Sequence, residues 1–109
     1  MDARKQQLIE HFITKCSMAI EDAKKKADMN VILQDRMRTS DVNFSFIKKD
    51  GTIREAHGTL REDVLPEIKG TGRPLSFELQ LYFDLDKQCF RSFKKHNLID
   101  IHDDIRDYR

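Results

Sequence analysis

The side chains of this sequence best suited to chemistry are basic ones, and Arg91 stands first among them. On a strand it shares a face with Cys89 and Phe93, so its guanidinium must lie at the edge of, or within, an apolar surface. In that setting a guanidinium can grip a phosphate through two parallel hydrogen bonds. The plainer alternative is a structural arginine paired with Asp84, Asp86 or Glu78. Arg54, Arg73, Lys94 and Lys95 are the candidates to complete a basic patch around it, against the alternative of a solvated charged surface. Residues 41–101 hold ten basic and ten acidic side chains. Any patch must therefore come from arrangement and not from excess.

Other chemistries find less support. Gly70-Thr71-Gly72-Arg73 could offer backbone N–H groups to an anion. It lacks the Lys-Ser/Thr ending of a phosphate-binding P-loop, and an ordinary loop is the simpler reading. His11, His57, His96 and His102 show no metal-ligand spacing, so no metal is expected. Cys89 and His57 have nothing in the sequence to activate or orient them as nucleophile and base. Paired carboxylates and a catalytic triad are not recognisable, so the chain is expected to be no enzyme and to need no cofactor.

The bulk composition is that of an ordinary domain with a charged surface. The chain has 109 residues, 36% charged and 39% apolar, with a formal net charge of +1. That length suits one domain with one core. The near-neutral charge excludes a strong nonspecific grip on nucleic acid. Cys16 and Cys89 are too few and too far apart for a disulfide framework. No apolar run approaches the roughly 20 residues of a membrane helix, and the N-terminus lacks the apolar core of a signal peptide. A cytoplasmic setting without membrane contact is the expectation.

The elements that must position these residues follow from periodicity. Leu8, Ile9, Phe12, Ile13, Cys16, Ala19, Ile20, Ala23 and Ala27 recur at three- and four-residue spacing. This predicts one amphipathic helix over 4–27, with Asp2 as its N-cap. Its apolar face, with Phe12, Ile13 and Ile20, needs a partner, either the rest of the chain or a second copy. Val31, Ile32, Leu33 and Met37 suggest a second short helix from about Asp28 or Asn30. At Asp41 the period changes from helical to alternating.

Strands are expected near 42–48, 52–59, 77–83, 89–95 and 98–101. Lys48-Lys49-Asp50-Gly51-Thr52 forms the first hairpin turn, with Gly51 in the left-handed position. That turn sets Phe44 opposite Ala56 and Ile47 opposite Ile53. Phe77, Leu79, Leu81 and Phe83 alternate with Glu78, Gln80 and Tyr82, which predicts that the first set faces inward. Val42, Phe44, Leu79, Leu81 and Phe93 are the expected core. Gly58 permits a bend or a close backbone approach. Both prolines and two glycines lie in the long connection from Leu60 to Ser76.

The fold class is therefore α+β. An N-terminal helix or helical pair (1–40) precedes a small five-stranded antiparallel SH3/Sm-like β-barrel (41–101), and a charged tail (102–109) follows.

The stretches VNFSFIKKDGTIREAHGTL and YFDLDKQCFRSFKKHNLIDI carry a resemblance. They resemble WYL-like small barrel proteins of bacteria and their phages, over residues 42–101 and most specifically from Tyr82 to Ile101. Phe90 stands where that group usually has Trp. The group is similar in turn to WYL domains of transcription regulators, Sm-like barrels thought to sense nucleic acid or nucleotide-like ligands through basic side chains. In that comparison Phe83-Asp84 falls on a Tyr-Asp pair and Arg91-Ser92-Phe93 on Arg-Thr-Phe. The Trp-Tyr-Leu signature would fall on Glu78-Leu79-Gln80 and is absent. The resemblance implies a nucleic-acid or nucleotide-like ligand held by the basic residues named above. The alternative is a protein–protein or structural phage-type adaptor, or a homodimer, using the N-terminal helix as its docking surface.

Overall fold

A computed structural model describes residues 3–64 and 76–102. The expected cap at Asp2, the Gly70–Arg73 loop and most of the charged tail lie outside the described residues. Two helices, α1 (Ala3–Cys16) and α2 (Ile20–Thr39), lead into β1 (Val42–Ile47), β2 (Ile53–Thr59), β3 (Leu79–Asp84) and β4 (Cys89–Lys94). A 3₁₀ turn, Lys95–Asn97, then joins β4 to β5 (Leu98–His102).

The single helix expected over 4–27 is a correction. The chain reverses at Ser17, whose φ is +57°, and the Met18 N–H donates back to the Phe12 carbonyl at 3.1 Å. The apolar spacing continues through this break, so periodicity alone cannot reveal it. Reversal lets Leu8, Ile9 and Phe12 of α1 bury against Ala23 and Ala27 of α2. The small alanines allow the two helices to approach closely. Lys5 pairs with Asp28 at 2.7 Å, and Arg4 with Asp35 at 3.0 Å, along the rim of this hairpin. Glu21 and Asp22 occupy the first turn of α2 and Arg36 and Arg38 the last, which suits the helix dipole.

The far half of α2 belongs to the main core. Leu33 and Met37 pack with Val42, Phe44, Phe46, Ala56, Tyr82, Phe93 and Leu98. Polar contacts fix the same half in place. The Asn30 amide donates to the Lys95 carbonyl at 3.1 Å, Lys26 to the Leu98 carbonyl at 2.6 Å, and Gln34 to Gln80 at 2.8 Å.

The sheet order is β4-β3-β2-β1-β5, with the paired strands antiparallel. A flat sheet would hold β4 and β5 four spacings apart, about 19 Å. The three-residue 3₁₀ turn between them spans only about 6 Å. The sheet must therefore curl into a barrel. The aromatic rings report the same curl. Phe46 on β1 stacks on Phe93 of β4 with centroids 4.8 Å apart, although two strands separate them in the sheet.

The β1–β2 hairpin matches its expectation. Phe44 pairs with Ala56 and Ile47 with Ile53, and Gly51 takes φ +91°. The facing of β3 is a second correction. Gln80 and Tyr82 are buried inward, Leu79 and Leu81 are only half-buried, and Phe77 is exposed. Both faces of β3 carry large side chains, so alternation could not say which faces in. Phe83 is buried on the other side, its ring 5.2 Å from Phe90. Packing of the Tyr82 ring decides the matter: it fills the space between Phe44 and Gly58.

A Cβ added at Gly58 would stand 2.5 Å from the Tyr82 ring and 3.4 Å from Phe44. Neither ring has room to retreat. Gly58→Ala is expected to destabilise the protein by about 1–3 kcal/mol through overpacking. Gly51→Ala meets no atom within 4 Å and bears only the strain of its positive φ. Urea melts of the two variants should rank Gly58→Ala as the more damaging; equal loss would disprove the tight Gly58–Tyr82 contact.

Candidate functional site

β2 and β3 share two register pairs, Gly58 with Asp84 and Thr59 with Phe83. This short seam lets the β1–β2 hairpin splay from the β3–β4 hairpin. A cleft of about 990 Å³ lies between them and reaches the 3₁₀ corner. Phe46, Tyr82 and Phe93 lie beneath it as part of the buried core. Lys48, Lys49, Arg54, Arg91 and Lys94 bring five cations to it, against the single carboxylate of Glu78. A chain of net charge +1 thus gathers a strongly positive lining by arrangement.

Arg91 sits opposite Tyr82 in the β3–β4 register, so the two share the concave face. The pairing with Asp84 weighed from the sequence is present, and the arginine also lines the cleft. Its Nε stands 3.2 Å from Asp84 Oδ2, and the Arg54 Nη2 donates to the same oxygen at 3.2 Å. The Asp84 side chain is only 2% exposed, while those of Arg54 and Arg91 are 25% and 39% exposed. Asp84 Oδ1 accepts the backbone N–H groups of Asp86 at 2.9 Å and Lys87 at 3.0 Å, closing the β3–β4 turn.

Burial pushes the Asp84 carboxyl up. The Lys87 and Asp86 N–H groups and the Arg54 guanidinium outweigh burial and hold it below the usual carboxylate range. His96, in the cleft wall, is pushed down by burial and by the nearby Lys94, His11 and Lys26, with Glu78 opposing. Its Nδ1 is buried without a protein partner, as is the Arg54 Nε.

Of the residues singled out from the sequence, the structure brings Arg54, Arg91 and Lys94 together in the cleft. Lys95 stands apart. It is buried, with its ammonium 4.2 Å from the centre of the Phe77 ring, and burial lowers its pKa. Arg73 lies outside the described residues. On the helices, Phe12 is buried within the hairpin, while Ile13 is 36% and Ile20 53% exposed. Sequence reasoning missed Lys48, Lys49 and His96 as cleft residues. The first two looked like ordinary turn residues, and only barrel curvature turns that hairpin toward β4. It also treated Asp84 as one of three possible partners for Arg91. The signal that could have singled Asp84 out is its place at the first position of a turn, where an aspartate accepts backbone N–H bonds.

The family comparison bears on this geometry. A family model described as WYL_2, Sm-like SH3 beta-barrel fold, matches residues 30–99. The chain belongs to the WYL_2 family. The matched span opens within α2 at Asn30, the residue that ties α2 to the 3₁₀ corner, and runs through the cleft into β5. The WYL_2 match thus includes every residue lining the cleft. No curated protein and no solved structure matches the chain significantly. Among the described residues no group of His, Cys, Asp or Glu is arranged to hold a metal, and no helix is long and apolar enough to cross a membrane.

The lowered Asp84 pKa fixes a sign for acid sensitivity. The unfolded chain takes up this proton at the ordinary value near 3.9, before the folded protein does. Asp84 therefore contributes stability above about pH 4, and loses it as pH falls through the lowered folded value. Melting temperatures of Asp84→Asn should lie well below wild type at neutral pH, and the two curves should converge in acid. A gap that stays constant from neutral pH into acid would refute the assignment.

Proposed function

We propose that this WYL_2 chain is a non-enzymatic binding module that takes a nucleic acid or nucleotide-like anion in the cleft. The observation that carries the reading is the convergence of five cations on one cleft in a chain that is otherwise balanced in charge. Cationic side chains meet phosphate, so the phosphate groups of a nucleotide or nucleic acid have a complement there. The exposed guanidinium of Arg91 is the primary phosphate contact, with Arg54 and Lys94 beside it and Lys48 and Lys49 on the hairpin opposite. The resemblance to WYL domains supports the same ligand class.

The second reading is a protein–protein adaptor or homodimer that docks through the N-terminal helices. What favours it is the exposure of Ile13 and Ile20 at the turn between α1 and α2. It uses a different surface from the cleft, so Ile13→Asp separates the two. That substitution leaves cleft binding intact and abolishes association through the helices.

Anisotropy titrations with short single-stranded DNA and RNA test the main reading. Binding is expected to weaken with salt along a shallow slope of roughly −2 to −3, as for three or four phosphates on a single strand. Arg91→Ala should weaken binding about tenfold, a loss of roughly 1.4 kcal/mol. It should also lower the melting temperature, because its partner Asp84 is buried. Binding must therefore be measured well below the melting transition. Absence of binding by the wild type at low salt to DNA, RNA and nucleotides alike would refute the reading.

A further inference from the structure

We infer that Asp84 is a positioning residue for the ligand: its carboxylate assembles Arg54 and Arg91 into one preformed anion clamp. This rests on the proposed anion-binding reading of the cleft. The geometry behind it is specific. Two guanidinium nitrogens, from strands β2 and β4, both stand 3.2 Å from the single oxygen Oδ2. They are therefore less than twice that distance apart, the spacing at which two guanidinium groups can hold one phosphate. The other oxygen, Oδ1, is bound to the backbone of the β3–β4 turn, so the carboxylate cannot swing.

Each arginine uses one nitrogen on Asp84. A guanidinium carries five N–H donors, so most remain for a ligand. Arg54 Nε is itself buried, so it is not among the donors that an arriving ligand meets. The carboxylate is almost fully buried while both arginines are partly exposed and line the cleft. An anion arriving there meets the guanidinium groups and not the carboxylate behind them. The arginines are held before the ligand arrives, which removes the ordering cost of two long side chains.

Electrostatics and positioning predict opposite signs, and that makes the inference testable. Asp84 is an anion beside a cationic cleft. If its charge were all that mattered, Asp84→Asn would tighten anion binding. If it positions the arginines, Asp84→Asn weakens binding, because an amide cannot bridge two guanidinium groups through one acceptor oxygen while also closing the turn. Glu78 supplies the matched control: it lines the same cleft, and no side-chain ion pair ties it to either arginine.

The test is an anisotropy titration of a fluorescein-labelled oligothymidylate against wild type, Asp84→Asn and Glu78→Gln, well below each melting transition. The expected result is about tenfold weaker binding for Asp84→Asn and tighter binding for Glu78→Gln, each having lost one negative charge. In an Arg54→Gln/Arg91→Gln background, the added Asp84→Asn change should have no further effect on binding. Tighter binding by Asp84→Asn, or an equal loss in both backgrounds, overturns the inference while leaving the cleft reading intact. No binding by the wild type overturns both. Should Asp84→Asn fail to fold, the wild type decides alone. The Arg91 Nε must then show a ¹⁵N order parameter well above that of a free arginine side chain before any probe is added; a value as low as the free side chain's overturns the clamp.

Discussion

The contact between the Tyr82 ring and the Cα of Gly58 is the constraint on which the rest of the barrel depends. It lets β3 approach β2 more closely than any side chain at position 58 would allow. With the ring seated there, Phe44, Phe46 and Phe93 can gather around it from strands that are not neighbours in the sheet. The sheet is thereby curled, and its two edge strands come near enough for a three-residue 3₁₀ turn to join them. Aromatic rings at these separations add to the apolar burial that each supplies.

The cleft is a consequence of the same geometry. Because β2 and β3 are paired at just two register positions, the hairpins on either side splay apart. The gap receives one tip of the β1–β2 hairpin with its lysines and the concave face of β4 with Arg91. Beneath it, Asp84 links three features through one carboxylate: the β3–β4 turn, an arginine of β2 and an arginine of β4. A buried carboxylate with three hydrogen-bond donors and a second guanidinium beside it is an expensive feature to keep if apolar packing were the only need. Stability and the shape of the cationic cleft are therefore coupled through this residue.

The helices serve the barrel unequally. α2 closes the core with Leu33 and Met37, and it holds the 3₁₀ corner through Asn30 and Lys26. α1 packs mainly on α2, in a separate apolar cluster. The family match begins at Asn30, one turn beyond Lys26, and so takes in most of the part of α2 that serves the barrel.

Much of the fold was legible in the sequence. Strand alternation, the Lys48–Thr52 turn with its left-handed Gly51, the Phe44–Ala56 register and the small residue at 58 are local features, and local sterics decide them. The basic candidates Arg54, Arg91 and Lys94 were legible too, since their types and strand positions are written in the chain. Three matters were decided by tertiary structure. The helix break at Ser17 carries no Gly or Pro and leaves the apolar spacing unbroken; the gain from folding α1 back onto α2 sets it. The inward face of β3 depended on whether Tyr82 or its leucine neighbours fitted over Gly58, a question of shape and not of hydrophobicity. The membership of the cleft depended on barrel curvature, which turns Lys48 and Lys49 toward Arg91 and sends Lys95 onto Phe77. Periodicity along a chain says which residues share a face, but only the closing of the sheet decides which faces meet.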